Sequence, residues 1–92
     1  MMYYYSTRNG IVTTHSGIEI DRDGFENVRV HFERPRKDGG NGFDFADIKL
    51  PDYDIYKSFG FDEDERLALT RYARNNAFLF WEFAAKGGGE NA

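Results

Sequence analysis

The sequence predicts an α+β domain: an antiparallel sheet of about four strands, arranged as a meander, followed by two or three C-terminal helices packed on one face. Three observations lead to this class. The first half is rich in aromatic and β-branched residues, glycine-containing turns recur at short intervals, and the second half carries helix caps and helical spacing. Strands that precede helices indicate α+β rather than α/β. We expect one domain over residues 1–86 and a flexible C-terminal tail over residues 87–92.

The first predicted element is a β-hairpin closed by Asn9 and Gly10. An Asn-Gly pair accepts the two positive φ angles of a type I′ turn, whose twist matches that of the flanking strands. The two strands are predicted over residues 3–7 and 11–15. With a two-residue loop, the predicted register pairs Arg8 with Ile11 and Tyr5 with Thr14.

The next strands carry the alternation of a half-buried sheet. After a predicted bulge at Ser16-Gly17, residues 18–20 resume the extended chain, and residues 25–34 form the clearest strand. In that strand the apolar side chains fall on every second position, at Val28, Val30 and Phe32. This spacing predicts that one face of the strand is buried.

The strand predicted over residues 43–50 changes phase along its length. Phe43 and Phe45 share one face, whereas Ile48 and Leu50 lie on the other. A bulge near Ala46-Asp47 would bring all four apolar side chains to one face. We therefore expect a bulge in this strand.

Helical signals follow. Residues 53–59 are predicted to form a short helical segment that ends at Gly60 in the left-handed conformation. Asp62 with Glu65 three positions later predicts a capping box at the start of the main helix. Asn75-Asn76 predicts a kink or break within the helical region, and the glycines from Gly87 onward end it.

Composition excludes several classes of function. The chain has 92 residues and no cysteine, which removes disulfides, thiolate zinc sites and cysteine nucleophiles. The net charge of −4 disfavours binding to bulk nucleic acid or to anionic membranes. Its longest apolar run, residues 77–81, is too short to span a bilayer. We expect a soluble cytoplasmic protein that binds no membrane and no cofactor.

Two histidines are the main candidates for site chemistry. His15 and His31 lie on strands predicted to be neighbours, and with Glu19 or Glu33 they could form a metal or small-ligand site. Such a site needs several ligands that converge on one ion, and the alternative is a pair of solvent-facing strand histidines. No catalytic constellation is present, so we expect a non-enzymatic protein.

The aromatic content points to an interaction surface. Tyr3, Tyr4 and Tyr5 place rings on both faces of one strand, and Phe78 and Trp81 belong to a last helix that is apolar on nearly every side. Either one compact core takes up all these rings, or some of them form an interface. We favour an interface made by these five residues, with a protein partner or a second copy in a homodimer.

A nucleic-acid-binding module is the second hypothesis. Tyr3, Tyr4 and Tyr5 could stack on single-stranded bases, while Arg34, Arg36 and Lys37 before a glycine-rich loop could contact phosphates. The net acidity of the chain argues against this function.

Overall fold

Strands and helices are segregated along the chain as the α+β prediction requires. In the computed structural model, which describes residues 1–87, six strands precede two helices. The strands are β1 Met2–Arg8, β2 Ile11–Ser16, β3 Glu19–Ile20, β4 Glu26–Pro35, β5 Phe43–Leu50 and β6 Asp54–Phe59. The helices are α1 Glu63–Asn75 and α2 Ala77–Ala85. All strand pairs are antiparallel, in the order β1-β2-β4-β5-β6, and the short β3 pairs with β4.

The predicted turn of the hairpin is confirmed, but the predicted strand register is wrong at Tyr5. Asn9 and Gly10 have φ angles of 53° and 78°, as a type I′ turn requires, and the flanking Arg8 and Ile11 are paired. The predicted pairing of Tyr5 with Thr14 is wrong, because Tyr4 takes that place and Tyr5 is the extra residue of a bulge. The hydroxyl of Tyr5 donates a hydrogen bond of 2.6 Å to the amide oxygen of Asn76, a contact that the bulge permits.

The alternation predicted in the central strand is confirmed. Val28, Val30 and Phe32 are fully buried in β4. The bounds predicted for the next strand are those of β5, but the bulge expected within it is absent from its pairing with β4, which runs without interruption. The phase change is real: Phe43 and Phe45 lie on the face opposite the core.

The helical segment predicted over residues 53–59 is wrong, since this segment is strand β6. The backbone N–H of Tyr53 donates to the carbonyl of Lys49 at 2.7 Å, and the tight turn returns the chain alongside β5. Ile55 then pairs with Ile48, and the register shift leaves Tyr56 as an extra residue on β6. Because of this bulge, the side chains of β6 do not alternate regularly between the two faces of the sheet. Without that alternation, the flanking proline and glycine resemble the boundaries of a helix. The sheet therefore has more strands than the four expected.

Both helix signals are confirmed. Asp62 accepts a hydrogen bond from the backbone N–H of Glu65, and the Glu65 side chain accepts one from Asp62, which completes the capping box. The helical region breaks at Asn76, whose side-chain amide donates to the carbonyl of Tyr72 at 2.8 Å. Of the tail predicted over residues 87–92, residues 88–92 lie outside the described part of the chain.

The helices cover one face of the sheet, and the core lies between the two layers. Its buried residues are Val28, Val30, Phe32, Ala46, Ile48 and Leu50 from the sheet and Phe61, Leu69, Ala73, Phe80 and Ala84 from the helical side. Across residues 1–87, no helix is long and apolar enough to cross a membrane. No element of the described chain packs on the opposite side of the sheet, which we call the open face.

Candidate functional site

The open face carries a cluster of exposed apolar side chains. Tyr4 is 64% exposed, Phe43 54% and Phe59 50%. Its apolar members are the exposed Tyr4, Val12, Phe43, Tyr56 and Phe59 and the half-buried Phe45. Single exposed apolar residues are ordinary, but a group of them on one sheet face is the feature that marks an interaction site.

Strand register brings part of this cluster into one cross-strand row. Val12 pairs with Glu33, Glu33 with Phe45, and Phe45 with Phe59. Side chains at directly paired positions are close neighbours on the sheet surface. The ammonium of Lys57 lies 5.9 Å from the Phe45 ring centre, so a cation borders the rings.

A histidine between two carboxylates lies at the centre of the open face. His31 Nδ1 is 2.5 Å from Asp47 Oδ1, and Nε2 is 2.9 Å from Glu33 Oε1. The imidazole also stacks on Phe45 with the ring centres 6.3 Å apart. Burial lowers the pKa of His31, but the hydrogen bonds to Glu33 and Asp47 outweigh it and raise the pKa above the ordinary value.

A second charged pair borders the same face. Arg29 donates two hydrogen bonds to Glu19, at 2.7 and 2.9 Å. The hydrogen bond from Arg29 lowers the pKa of the Glu19 carboxyl. The guanidinium of Arg29 is therefore engaged within the chain.

The two signs of charge balance on the open face. Among the described residues, its basic side chains are Arg29, Arg36, Lys49 and Lys57, and its acidic side chains are Glu19, Glu33, Asp47, Asp54 and Asp38, the ion-pair partner of Arg36. With His31 protonated, the face carries five positive and five negative side chains and has no net charge. The electrostatic potential of such a surface is neither positive nor negative over its whole area.

The five residues predicted as one interface lie in different places. Tyr5 packs on the helical side, with its ring centre 4.3 Å from that of Phe80, and Tyr3 lies 5.8 Å from the ring of His15. Trp81 is half-buried against the core. Only Tyr4 is on the open face.

Phe78, the fifth predicted residue, is exposed on α2 on the helical side of the domain. It is 78% exposed and does not belong to the hydrophobic core. The sequence thus predicts an aromatic surface, but the structure divides its residues between two sides of the molecule.

The basic residues predicted to contact phosphates already have carboxylate partners within the chain. Arg34 is only 13% exposed and makes ion pairs with Asp44 and Glu65. Arg36 pairs with Asp38, and Lys37, although its side chain is 71% exposed, lies 3.8 Å from the carboxylate of Glu65. Arg34 and Arg36 are therefore engaged in contacts within the chain.

The two histidines do not converge. His15 is fully buried on the helical side, where its Nδ1 donates to the carbonyl of Ser16 at 2.8 Å. His31 lies on the open face, so the sheet separates the two imidazoles. Among residues 1–87, no group of three or more His, Cys, Asp or Glu side chains is arranged so that it could hold a metal ion.

Sequence reasoning missed Phe43, Phe45 and Phe59 as surface residues. The signal was present in β5, where Phe43 and Phe45 have the opposite parity to the buried Ile48 and Leu50. An apolar pair on the polar phase of a strand indicates either a bulge or an exposed apolar surface, and the structure has the exposed surface.

The fold is thus a two-layer α+β domain with an aromatic open face. Comparison of the chain with models of protein families, with curated proteins and with solved structures finds no match. The functional proposal is therefore based on the geometry of this face.

Proposed function

We propose that this protein is a non-enzymatic interaction module that self-associates through the open face of its sheet. The observation that supports the proposal is the cluster of exposed rings on a sheet face that no described helix covers. Aromatic residues are enriched at the cores of protein interfaces, because they bury a large apolar area at a small entropic cost.

The balanced charge of the open face supports a second copy as the partner. Two faces with no net charge bring no overall electrostatic repulsion when they meet, and interspersed signs allow complementary pairs to form. Symmetric dimers are also the commonest oligomers of soluble proteins. Nucleic acid is a poorer fit, since it requires an excess of free cations, and Arg29 is already bound by Glu19.

The proposal is tested by molar mass from light scattering after size exclusion, at a low and a high protein concentration. We expect the wild-type mass to approach that of a dimer at the high concentration. Phe59→Ser removes a half-exposed ring from the open face and is expected to weaken association by about tenfold or more.

Phe78→Ser is the matched control. It removes the same side chain from a more exposed position on the helical side, and we expect it to associate as the wild type does. A monomeric wild type at both concentrations would contradict the proposal. So would equal masses for the wild type, Phe59→Ser and a second open-face variant, Phe43→Ser.

A further inference from the structure

The geometry around His31 defines its protonation state. A carboxylate only accepts hydrogen bonds, so a ring nitrogen that binds one must carry a proton. Both nitrogens of His31 bind carboxylates, Nδ1 that of Asp47 and Nε2 that of Glu33. The arrangement therefore needs an imidazolium, and a neutral ring can keep only one of the two bonds.

His31 is also the group at the centre of the open face whose charge changes near neutral pH. The charged and titratable residues around it are Glu33 and Arg29 on β4, Asp47 and Lys49 on β5, Tyr56 and Lys57 on β6, Tyr4 on β1 and Glu19 on β3, while β2 presents the neutral Thr14. Ordinary carboxyl, lysine, arginine and tyrosine groups keep their charge between about pH 6 and 8.5.

We infer that protonation of His31 strengthens the association of two open faces, so that the assembly is tighter at mildly acidic pH than at alkaline pH. This inference rests on the proposed function and adds its regulation. In the protonated state the imidazolium lies between Asp47 and Glu33 and compensates their charge.

The physical cause is the cost of covering uncompensated carboxylates. After His31 loses its proton, Lys57, which lies opposite Asp47 on β6, is the remaining cation next to that carboxylate, and Glu33 loses its charged partner. A second copy that excludes water from this region would then bury excess negative charge, which is unfavourable. The associated state therefore binds the proton at His31 more tightly than the monomer does, and by linkage protonation favours association.

The test compares the dimer dissociation constants of the wild type and His31→Gln at about pH 6 and about pH 8.5, at one ionic strength. We expect wild-type association to be about tenfold tighter at the lower pH. His31→Gln keeps a polar side chain without a proton switch, and its constants are expected to agree within about twofold. The variant retains His15 and the amino terminus, so it differs from the wild type only at position 31.

Each outcome separates the inference from the proposed function. A wild-type dimer with the same dissociation constant at both pH values would overturn the inference and leave self-association intact. The same pH dependence in His31→Gln would overturn it as well. A monomer at both pH values would reject self-association, and the inference with it.

A second variant covers the case in which His31→Gln does not fold. Asp47→Asn removes one of the two carboxylates, so its association is expected to depend less steeply on pH than that of the wild type. Circular dichroism confirms that the variants are folded. A steeper dependence in Asp47→Asn would contradict the role of the two carboxylates.

Discussion

Arg34 connects the end of the sheet to the start of α1, and its removal is the sharpest test of how this fold is held together. Its guanidinium donates to Asp44 at 2.9 Å, to Glu65 at 2.6 Å and to the carbonyl of Gly60 at 3.1 Å. It also lies 4.2 Å from the ring centre of Phe61. One side chain therefore joins β4, β5, the end of β6 and the capping box.

Arg34→Met is expected to lower the free energy of unfolding by about 3 kcal/mol. Breaking a buried ion pair by removing one partner costs about 3–5 kcal/mol, because the other charge is left buried. The side chain of Asp44 is 5% exposed and would lose the one ion-pair partner that it has within residues 1–87, although it keeps a hydrogen bond from the backbone N–H of Lys37. Glu65 is more exposed and keeps its bond to Asp62, so the lower end of the range applies.

The assay is urea and thermal denaturation at pH 7 and at one protein concentration. For a domain of this size, about 3 kcal/mol corresponds to a fall of about 12 °C or more in the melting temperature. Arg36→Met is the matched control. It removes a neighbouring arginine whose partner Asp38 is exposed, so the expected loss of stability is much smaller than that of Arg34→Met.

Equal stability losses for Arg34→Met and Arg36→Met would refute this reasoning. A further check is the double variant Arg34→Met with Asp44→Asn. It removes the uncompensated carboxylate and is expected to be more stable than Arg34→Met alone. A double variant whose loss is the sum of the two single losses would show that the buried charge is not the cause.

Two further predictions concern the same region. Gly60 has a φ of 86°, and an added Cβ would overlap the carboxylate of Asp44. Gly60→Ala is therefore expected to lose at least about 2 kcal/mol more stability than Gly24→Ala, which has a similar φ of 85° but open space around it. Equal losses in urea denaturation would contradict the steric argument. The hydrogen bond from Arg34, followed by that from the backbone of the capping residue, lowers the pKa of Glu65 from 4.5 to about 2. The stability that ionised Glu65 contributes is therefore complete above about pH 4.5 and is lost as the pH falls toward 2. The urea midpoint of the wild type is expected to fall more steeply in this pH range than that of Glu65→Gln. The same pH dependence of the two midpoints would contradict this assignment.

Features set by neighbouring residues could be predicted from the sequence. The Asn9-Gly10 turn depends on two residues that accept positive φ, and the Asp62–Glu65 capping box depends on side chains three positions apart. The buried face of β4 follows from side-chain alternation within one strand. The class of fold follows from these local signals, because they place the strands before the helices.

The site could not be predicted in the same way, because it depends on which strands pair and in which register. The bulge at Tyr5 moves this ring toward Asn76, more than seventy positions away in sequence, and leaves Tyr4 as the only exposed tyrosine of the three. Strand β6 becomes visible only as a partner of β5, and it brings Phe59 beside Phe45.

The sequence by itself therefore determined the Asn9-Gly10 turn, the Asp62–Glu65 capping box, the break at Asn76 and the α+β class, since each depends on contacts between residues close together in the chain. The tertiary structure alone decided which face of the sheet stays open, and it placed His31 between Asp47 and Glu33. It also buried Arg34, a basic residue that the sequence had suggested for anion binding, among internal carboxylates. The physical reason is that exposure and charge pairing depend on which elements pack together, and periodicity within one segment does not specify its partner.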